Sequence, residues 1–475
     1  MLDLIRNKFT GKSLVLLGFG REGQSSYTVL RRIFPDKPLA IADKDPAIRE
    51  NPIIREDRNL TFITGDDYLE RISEYDFIMR SPGIPIWQFV ENSAIQCFTE
   101  NSSPSTSGIP RQRITSQTDL FLQAYSTQII GVTGTKGKST TSSLIHHIFQ
   151  TAGEDSVLLG NIGNPAFHFI DRIASWTKIV FELSSHQLEY ITIGPHVAIV
   201  LNLYQEHLDA YSGFEAYQLA KINITKFQTA EDLLIFNADD VLVSEKIAPY
   251  SAVRKSYPFS LQQEYAPGGF IKGGMLCFSD GKRIIPVWKI HQERFLRGDH
   301  NLKNILAAIN VAILSGVSHE NIEDGISTFK GLAHRLEYVG ENRSIHFYND
   351  SIATIPEACM EAIKAIPMVD TLIAGGFDRG IDYSGLAGFL CHSSIRNLIL
   401  VGAAGKRIGE NIEQLDFCHK KLFYINRFDN FREIAFRETR PGYCCLLSPA
   451  AASYDEFKNF EERGKRFREL VIRHE

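Results

Sequence analysis

QIIGVTGTKGKSTTSSLIHHIFQ, residues 128–150, carries the fold decision. A short apolar run ends in Gly134-Thr135-Lys136-Gly137-Lys138-Ser139-Thr140, and apolar residues at helical spacing (Leu144, Ile145, Ile148, Phe149) follow. That order predicts a buried strand, a glycine loop and a helix. The strict phosphate-loop spacing would need a glycine where Val132 stands, so what remains is G-x-x-G-K-S. The physics survives the shorter form. Successive backbone N–H groups and the positive end of the helix dipole face an anion, and Lys138 adds a point charge for the terminal phosphates. Ser139 offers an oxygen suited to Mg²⁺, which takes few protein ligands and keeps phosphate oxygens and water. A nucleotide phosphate and Mg²⁺ are therefore expected here.

Upstream, SLVLLGFGREGQSSYTVLRR (13–32) repeats the strand–turn–helix order around Gly18, Gly20 and Gly23, and PLAIADKD supplies a second strand ending in Asp43. Strand, glycine turn, helix, strand and acid form the context of a dinucleotide-type fingerprint; the bland alternative is a tight turn with no ligand. EYDFIMRSPGIP adds a strand with Ser81 at its C-terminal end, where parallel sheets place their ligands. Downstream, Glu182 ends one apolar run and Glu206-His207 follows another. An acid in such a place is costly unless paired or bound to metal.

The rest of the chain sets limits. At 475 residues it is too long for one core. A formal net charge of -5 leaves no basic footprint for nucleic acid. Seven cysteines lack any C-x-x-C spacing and are expected to be reduced thiols, neither a disulfide frame nor a zinc site. No apolar run reaches the length of a membrane span and no signal peptide is legible, so a cytoplasmic protein is expected. The fold class is α/β in three domains: 1–112, 113–317 and 318–475. The first and last are Rossmann-like, and the central one is a phosphate-loop domain on a parallel sheet. Residues 250–297 read as a turn-rich elaboration of the central domain with short strand-like runs.

GTKGKSTT, GNIGNP, FELSSHQLE, NLYQEHLDAY, YQLAK, NADD, GDHNLKN, AHRLE, YNDSIAT, GGFDRGIDY and LSPAAASYDEFKNFEERG occur here in one order. That set resembles the Mur ligases from about Gly18 to Gly464, and within them the glutamate-adding branch. The resemblance implies ATP-dependent phosphorylation of the carboxylate of UDP-N-acetylmuramoyl-L-alanine, followed by attack of a glutamate amine. A monomer that binds neither nucleic acid nor membrane is expected. Gly134 to Thr140 would hold the ATP phosphates, Asn301 and Asn304 the adenine, Asp350 the ribose, and Arg335 would lie beside the nucleotide. Ser139, Glu182 and His207 match Mg²⁺ ligands, and Lys221 falls where the family carries a carbamylated lysine. Lys138, His207 and Lys221 are the expected catalytic groups. Gly18, Gly20, Gly23, Asp43, Ser81, Asn161 and His207 would serve the UDP-sugar, and Thr354, Arg379, Ser453 and Phe460 the amino acid. Many relatives read N-D-S-K-A-T-N where residues 349–355 read NDSIATI, so Ile352 replaces a lysine. D-glutamate, L-glutamate and another amino acid stay open, as does a catalytically silent nucleotide-binding regulator.

Overall fold

The computed structural model describes residues 1–90, 108–160, 165–205, 211–292, 295–296 and 298–472. Three sheets account for its strands. The first consists of β1 (Leu14–Leu17), β2 (Leu39–Asp43), β3 (Leu60–Thr64), β4 (Phe77–Arg80) and β5 (Ile114–Thr115), in the order β3-β2-β1-β4-β5. All its neighbours are parallel. The chain steps outward from β1 to β3, then crosses back to β4, so a switch point opens between β1 and β4. The helix Arg21–Ile33 enters there so closely that a Cβ on Gly23 would lie 2.1 Å from the Gly18 carbonyl oxygen. Only glycine fits.

The second sheet has nine strands: β6 (Ile129–Thr133), β7 (Ser156–Gly160), β8 (Lys178–Glu182), β9 (Val197–Val200), β10 (Leu233–Asn237), β11 (Lys255–Phe259), β12 (Gly268–Lys272), β13 (Met275–Ser279) and β14 (Ile284–Lys289). Their order is β14-β13-β12-β11-β10-β9-β6-β8-β7, which places β6 between β8 and β9. β6 is buried along its whole length, as a strand covered by helices on both faces must be. The stretch expected to be turn-rich is more regular than its sequence implied. β12 to β14 add an antiparallel extension to the parallel sheet, with turns at Gly273-Gly274 and Gly281. The third sheet holds β15 (Glu337–Asn342), β16 (Ile345–Asn349), β17 (Val369–Gly375), β18 (Asn397–Val401), β19 (Lys421–Ile425) and β20 (Cys444–Leu447), ordered β15-β16-β20-β17-β18-β19. Only the β15–β16 pair in it is antiparallel.

The chain divides into two compact units, residues 1–293 with 299–327 and residues 294–298 with 328–475. The first two sheets share the first unit, and the third sheet forms the second. The helix His319–Thr328 packs Gly325 against Ile148 of the helix Lys138–Thr151, within the first unit. No helix among the described residues is long and apolar enough to cross a membrane. One expectation needs correction. Cys391 and Cys418 form a disulfide with a Cα–Cα distance of 5.0 Å, although 27 residues apart in sequence. The helix Ser384–His392 and the turn before β19 bring the two together, so no local spacing could announce the pair. Cys277, Cys359, Cys444 and Cys445 are buried thiols.

Within the first unit, apolar packing runs from Leu14 and Leu16 through Phe121 to Ile129 and Phe181, joining the two sheets in one core. A buried ion pair reinforces the joint. Arg80, at the end of β4, donates to the Ile84 carbonyl (2.6 Å), the His186 carbonyl (3.2 Å) and the Glu189 carboxylate (2.9 Å). Its guanidinium also lies 5.0 Å from the Tyr190 ring centroid. Removing one partner of such a pair strands a buried charge, at a cost of about 3–5 kcal/mol. Arg80→Met is therefore expected to lower the unfolding free energy of the first unit by that amount, read as a lower urea midpoint. An unchanged midpoint in chemical denaturation would assign the joint to apolar packing alone.

Candidate active site

The loop after β6 has no regular structure of its own, and its neighbours hold it in place. The Thr135 N–H donates to the Asn202 carbonyl at 3.0 Å, the Lys136 N–H to Asn202 Oδ1 at 2.7 Å, and Asn202 Nδ2 returns a bond to the Lys136 carbonyl at 2.9 Å. On the other side Thr133 Oγ1 donates to the Leu183 carbonyl at 2.8 Å. Gly137 caps the following helix with φ +84°, and a Cβ there would meet Asn304 Oδ1 at 2.6 Å. The helix Asp299–Leu314 thus sets Asn304 against the loop, with Asn304 Nδ2 donating to Asn301 Oδ1 at 3.0 Å. Gly134, Thr135, Lys136, Gly137, Lys138, Ser139, Thr140, Asn301 and Asn304 form one group. Asn202, which sequence reasoning passed over, is its clamp. The only signal it offered was an amide directly after an apolar run.

Both lysines of interest converge on one oxygen. Lys138 Nζ donates to the Gly134 carbonyl at 2.9 Å and the Thr135 carbonyl at 3.1 Å, while Lys221 Nζ donates to the same Gly134 oxygen at 2.9 Å. Lys221 is only 2% exposed, and its ammonium lies 4.7 Å from the Tyr217 ring centroid. Tyr217 is in turn fixed by a 3.1 Å hydroxyl contact with Thr135 Oγ1. Glu182, 1% exposed, ends β8 in register with Val132 of β6. A buried carboxylate at this edge and the Ser139 hydroxyl in the first helical turn are hard oxygen donors of the kind Mg²⁺ takes. Among the described residues, no three His, Cys, Asp or Glu side chains group as a metal site. His207 and Asn161 lie outside the described residues.

At the switch point of the first sheet, Ser81 Oγ donates to the Gly18 carbonyl (3.0 Å), and the Phe19 N–H donates to an Asp43 oxygen (2.7 Å). Gly20 caps the helix that follows. Gly18, Gly20, Gly23, Asp43 and Ser81 therefore stand together. Glu22, in the same turn, was not singled out by sequence. It accepts from Gln187 Nε2 at 3.2 Å, and burial pushes its carboxyl up to about 7 against the opposing pull of Gln187 and Arg80.

In the second unit, Asp350 follows β16 and accepts from the Ser448 hydroxyl (2.8 Å) and the Leu336 N–H (3.1 Å). Burial pushes its carboxyl up to about 7, with the two hydrogen bonds and the Arg335 charge pulling the other way. Arg379 Nη2 donates to the Thr354 carbonyl at 3.0 Å, so those two meet directly. Ser453 is buried at the turn after β20. The Phe460 ring packs edge-on at 6.3 Å from His334, and its carbonyl accepts from Ser351 Oγ at 2.8 Å. Arg463, also missed by sequence, is buried and donates to Ser351 Oγ and to the carbonyls of Ser351, Ala451 and Ala452 at 2.9–3.1 Å.

The Mur ligase middle domain family matches residues 132–312, from β6 into the helix Asp299–Leu314. The UDP-N-acetylmuramoylalanine–D-glutamate ligase of Clostridium kluyveri is 34% identical over 420 residues, covering 87% of this chain and 86% of that protein. The chain belongs to the Mur ligase family. A ligase of the same name from Listeria monocytogenes is 32% identical over 469 residues, covering 97% of this chain and 96% of its own. The UDP-N-acetylmuramate-alanine ligase MurC from Thermotoga maritima shares the fold, with a TM-score of 0.54 at 15% identity over 96% of this chain and 98% of its own. This Mur ligase is thus an ATP-dependent ligase of peptidoglycan precursor synthesis.

The Asp350 carboxyl of this Mur ligase makes stability depend on pH in a defined direction. Its folded value is raised to about 7, whereas an unfolded aspartate titrates near 4. The folded chain therefore holds this proton more tightly. The resulting stabilisation is complete below pH ~4, falls as pH rises toward ~7, and is gone above that. Asp350→Asn carries no charge at any pH and should gain on the wild type between pH ~4 and ~8. Thermal unfolding midpoints measured across that range test this; an offset constant with pH would sink it.

Proposed function

We propose that this ligase joins D-glutamate to the alanyl carboxylate of UDP-N-acetylmuramoyl-L-alanine at the expense of ATP. The observation that carries the reading is the convergence of Lys138, Lys221, Glu182 and the glycine loop on the strand-end edge formed by β6, β8 and β9. The names of the relatives support the substrates. A free carboxylate is a poor electrophile. Its oxygen attacks the γ-phosphorus of ATP, the bond to the bridging oxygen breaks, and ADP leaves. The glutamate nitrogen then attacks the carbonyl carbon of the acyl phosphate, the C–O bond breaks, phosphate departs and the amine loses a proton.

Little covalent work falls to the protein, so positioning and charge neutralisation dominate. Lys138 and the N–H groups around Gly137 take the β- and γ-phosphates. Ser139 and Glu182 would hold Mg²⁺ together with His207, and the ion neutralises phosphate charge when bound. Asn301 and Asn304 read the adenine; Asp350 and Arg335 take the ribose side. Gly18, Gly20, Gly23, Asp43, Ser81 and Asn161 serve the UDP-sugar. Thr354, Arg379, Ser453 and Phe460 serve the glutamate; an arginine can grip its carboxylate bidentately. Residues 1–112, 113–317 and 318–475 then act as sugar, ATP and amino-acid domains of a cytoplasmic enzyme. Lys221 works as a carbamate: its neutral amine attacks the carbon of CO₂, an N–C bond forms as one C=O π bond opens, and a proton is lost to solvent. The nitrogen keeps one N–H for the Gly134 carbonyl, and the carbamate oxygens would offer Mg²⁺ an anionic donor in place of a cation.

An amino-acid screen with UDP-N-acetylmuramoyl-L-alanine, ATP and Mg²⁺, read as phosphate release, tests the substrates. It should include L-glutamate, because Ile352 stands where many relatives carry lysine. Absence of phosphate release with every amino acid tried would refute the ligase reading. Hydroxylamine in place of glutamate should trap a hydroxamate of the UDP-sugar, and Lys138→Ala should slow that product by about 3–4 kcal/mol, the scale of a lost transition-state donor. Lys221→Ala should be nearly inactive and partly restored by high concentrations of acetate. Full activity without added carboxylate would reduce Lys221 to a structural residue.

A further inference from the structure

At the strand-end edge of the third sheet, two large aromatic side chains stand open to solvent beside the expected amino-acid groups. Phe377 is 43% exposed and Tyr454 65%, and their rings meet edge to face with centroids 6.3 Å apart. The segments that carry them are fastened to each other. The Phe377 N–H donates to the Ala452 carbonyl at 2.9 Å, and the buried Arg463 binds that same carbonyl and the Ala451 carbonyl, both at 3.1 Å. Paired aromatic surface held on a rigid base marks a ligand contact, whereas single exposed apolar residues need no explanation.

The charges nearby define the ligand. Phe377 precedes Asp378 and Arg379. Asp378 is committed to Arg407, whose Nη1 donates to both of its oxygens at 2.7 and 2.9 Å. Arg379 forms no ion pair among the described residues; one of its nitrogens donates to the Thr354 carbonyl, leaving donors for a carboxylate. Ile355, next along from Thr354, is 44% exposed and adds apolar surface. A guanidinium two residues along the chain from an exposed ring suits a molecule with an anionic end and a short aliphatic stem. Resting on the ligase reading above, we propose that Phe377 and Tyr454 are specificity-determining residues for the amino-acid substrate. Their rings take the two-methylene stem of the incoming acidic amino acid while Arg379 takes a carboxylate.

Steady-state phosphate release with UDP-N-acetylmuramoyl-L-alanine and ATP, varying glutamate, decides the matter. Burying one methylene is worth roughly fourfold in affinity, so losing contact with two should raise KM for glutamate on the order of tenfold in Phe377→Ala and in Tyr454→Ala. KM for ATP and for the UDP-sugar should stay within about twofold, since neither ligand is assigned to these rings. Phe377→Leu, which restores apolar contact, should recover most of the loss. Both side chains are largely exposed, so their truncation should leave the unfolding midpoint near that of the wild type. The proposal is overturned if KM for glutamate is unchanged in both alanine variants, or if all three KM values rise together. A wild-type chain that releases no phosphate on adding glutamate would instead overturn the ligase reading, and the assignment of the rings with it.

Discussion

The first unit's nucleotide edge is organised around a single carbonyl. The Gly134 oxygen accepts from Lys138 and from Lys221, one on the helix that the loop starts and the other 87 residues beyond Gly134 in the helix Phe214–Lys226. The Lys138 ammonium concentrates positive potential at the loop that faces the phosphates, in a setting where burial weakens screening, while Lys221 anchors the same oxygen through an N–H. That arrangement holds only if the carbonyl itself cannot rotate. Asn202 and Leu183, directly after β9 and β8, supply the bonds that fix it on either side.

Buried guanidinium groups perform the same task elsewhere. Arg80 ties the end of β4 to the segment 186–189, and Arg463 ties the turns after β16 and β20 to each other. Both spend most of their donors on backbone carbonyls. A planar fork with five N–H groups can satisfy several carbonyls at fixed angles, which a lysine could not do. Loops at strand ends expose unpaired carbonyls by construction, and a buried arginine converts that liability into a defined shape. The cost is a desolvated cation, and it falls on Arg463, whose guanidinium burial lowers toward about 10.

Acidic groups in the two units follow a related rule. Asp350 in the second unit and Glu22 in the first are both pushed up to about 7 because burial outweighs their hydrogen bonds. Asp350 directly follows β16 and Glu22 lies in the first turn of the helix after β1, so each stands at a strand end while the sheet behind it stays apolar. The sheets are insulation as much as scaffold.

Much of this was legible from local patterns. The glycine turns at Gly18–Gly23 and Gly134–Gly137, the strands that precede them and the helices that follow are each specified within about twenty residues, because backbone conformation and helix capping are short-range. The ordered motifs carried the family. Residues 268–289 were harder to read, since glycines and Pro286 interrupt the alternation that marks strands, and only pairing across the sheet edge makes them regular. Phe460 belongs to a legible motif, but the 6.3 Å contact of its ring with His334 joins residues far apart in the chain and exists only in the folded unit. By itself the sequence determined the loops, their anion-binding chemistry and the alternation of strands and helices. Tertiary structure alone decided that Arg80 meets Glu189, that Cys391 meets Cys418 and that Phe377 meets Tyr454, because such contacts join residues far apart in the chain and exist only once the intervening loops have closed.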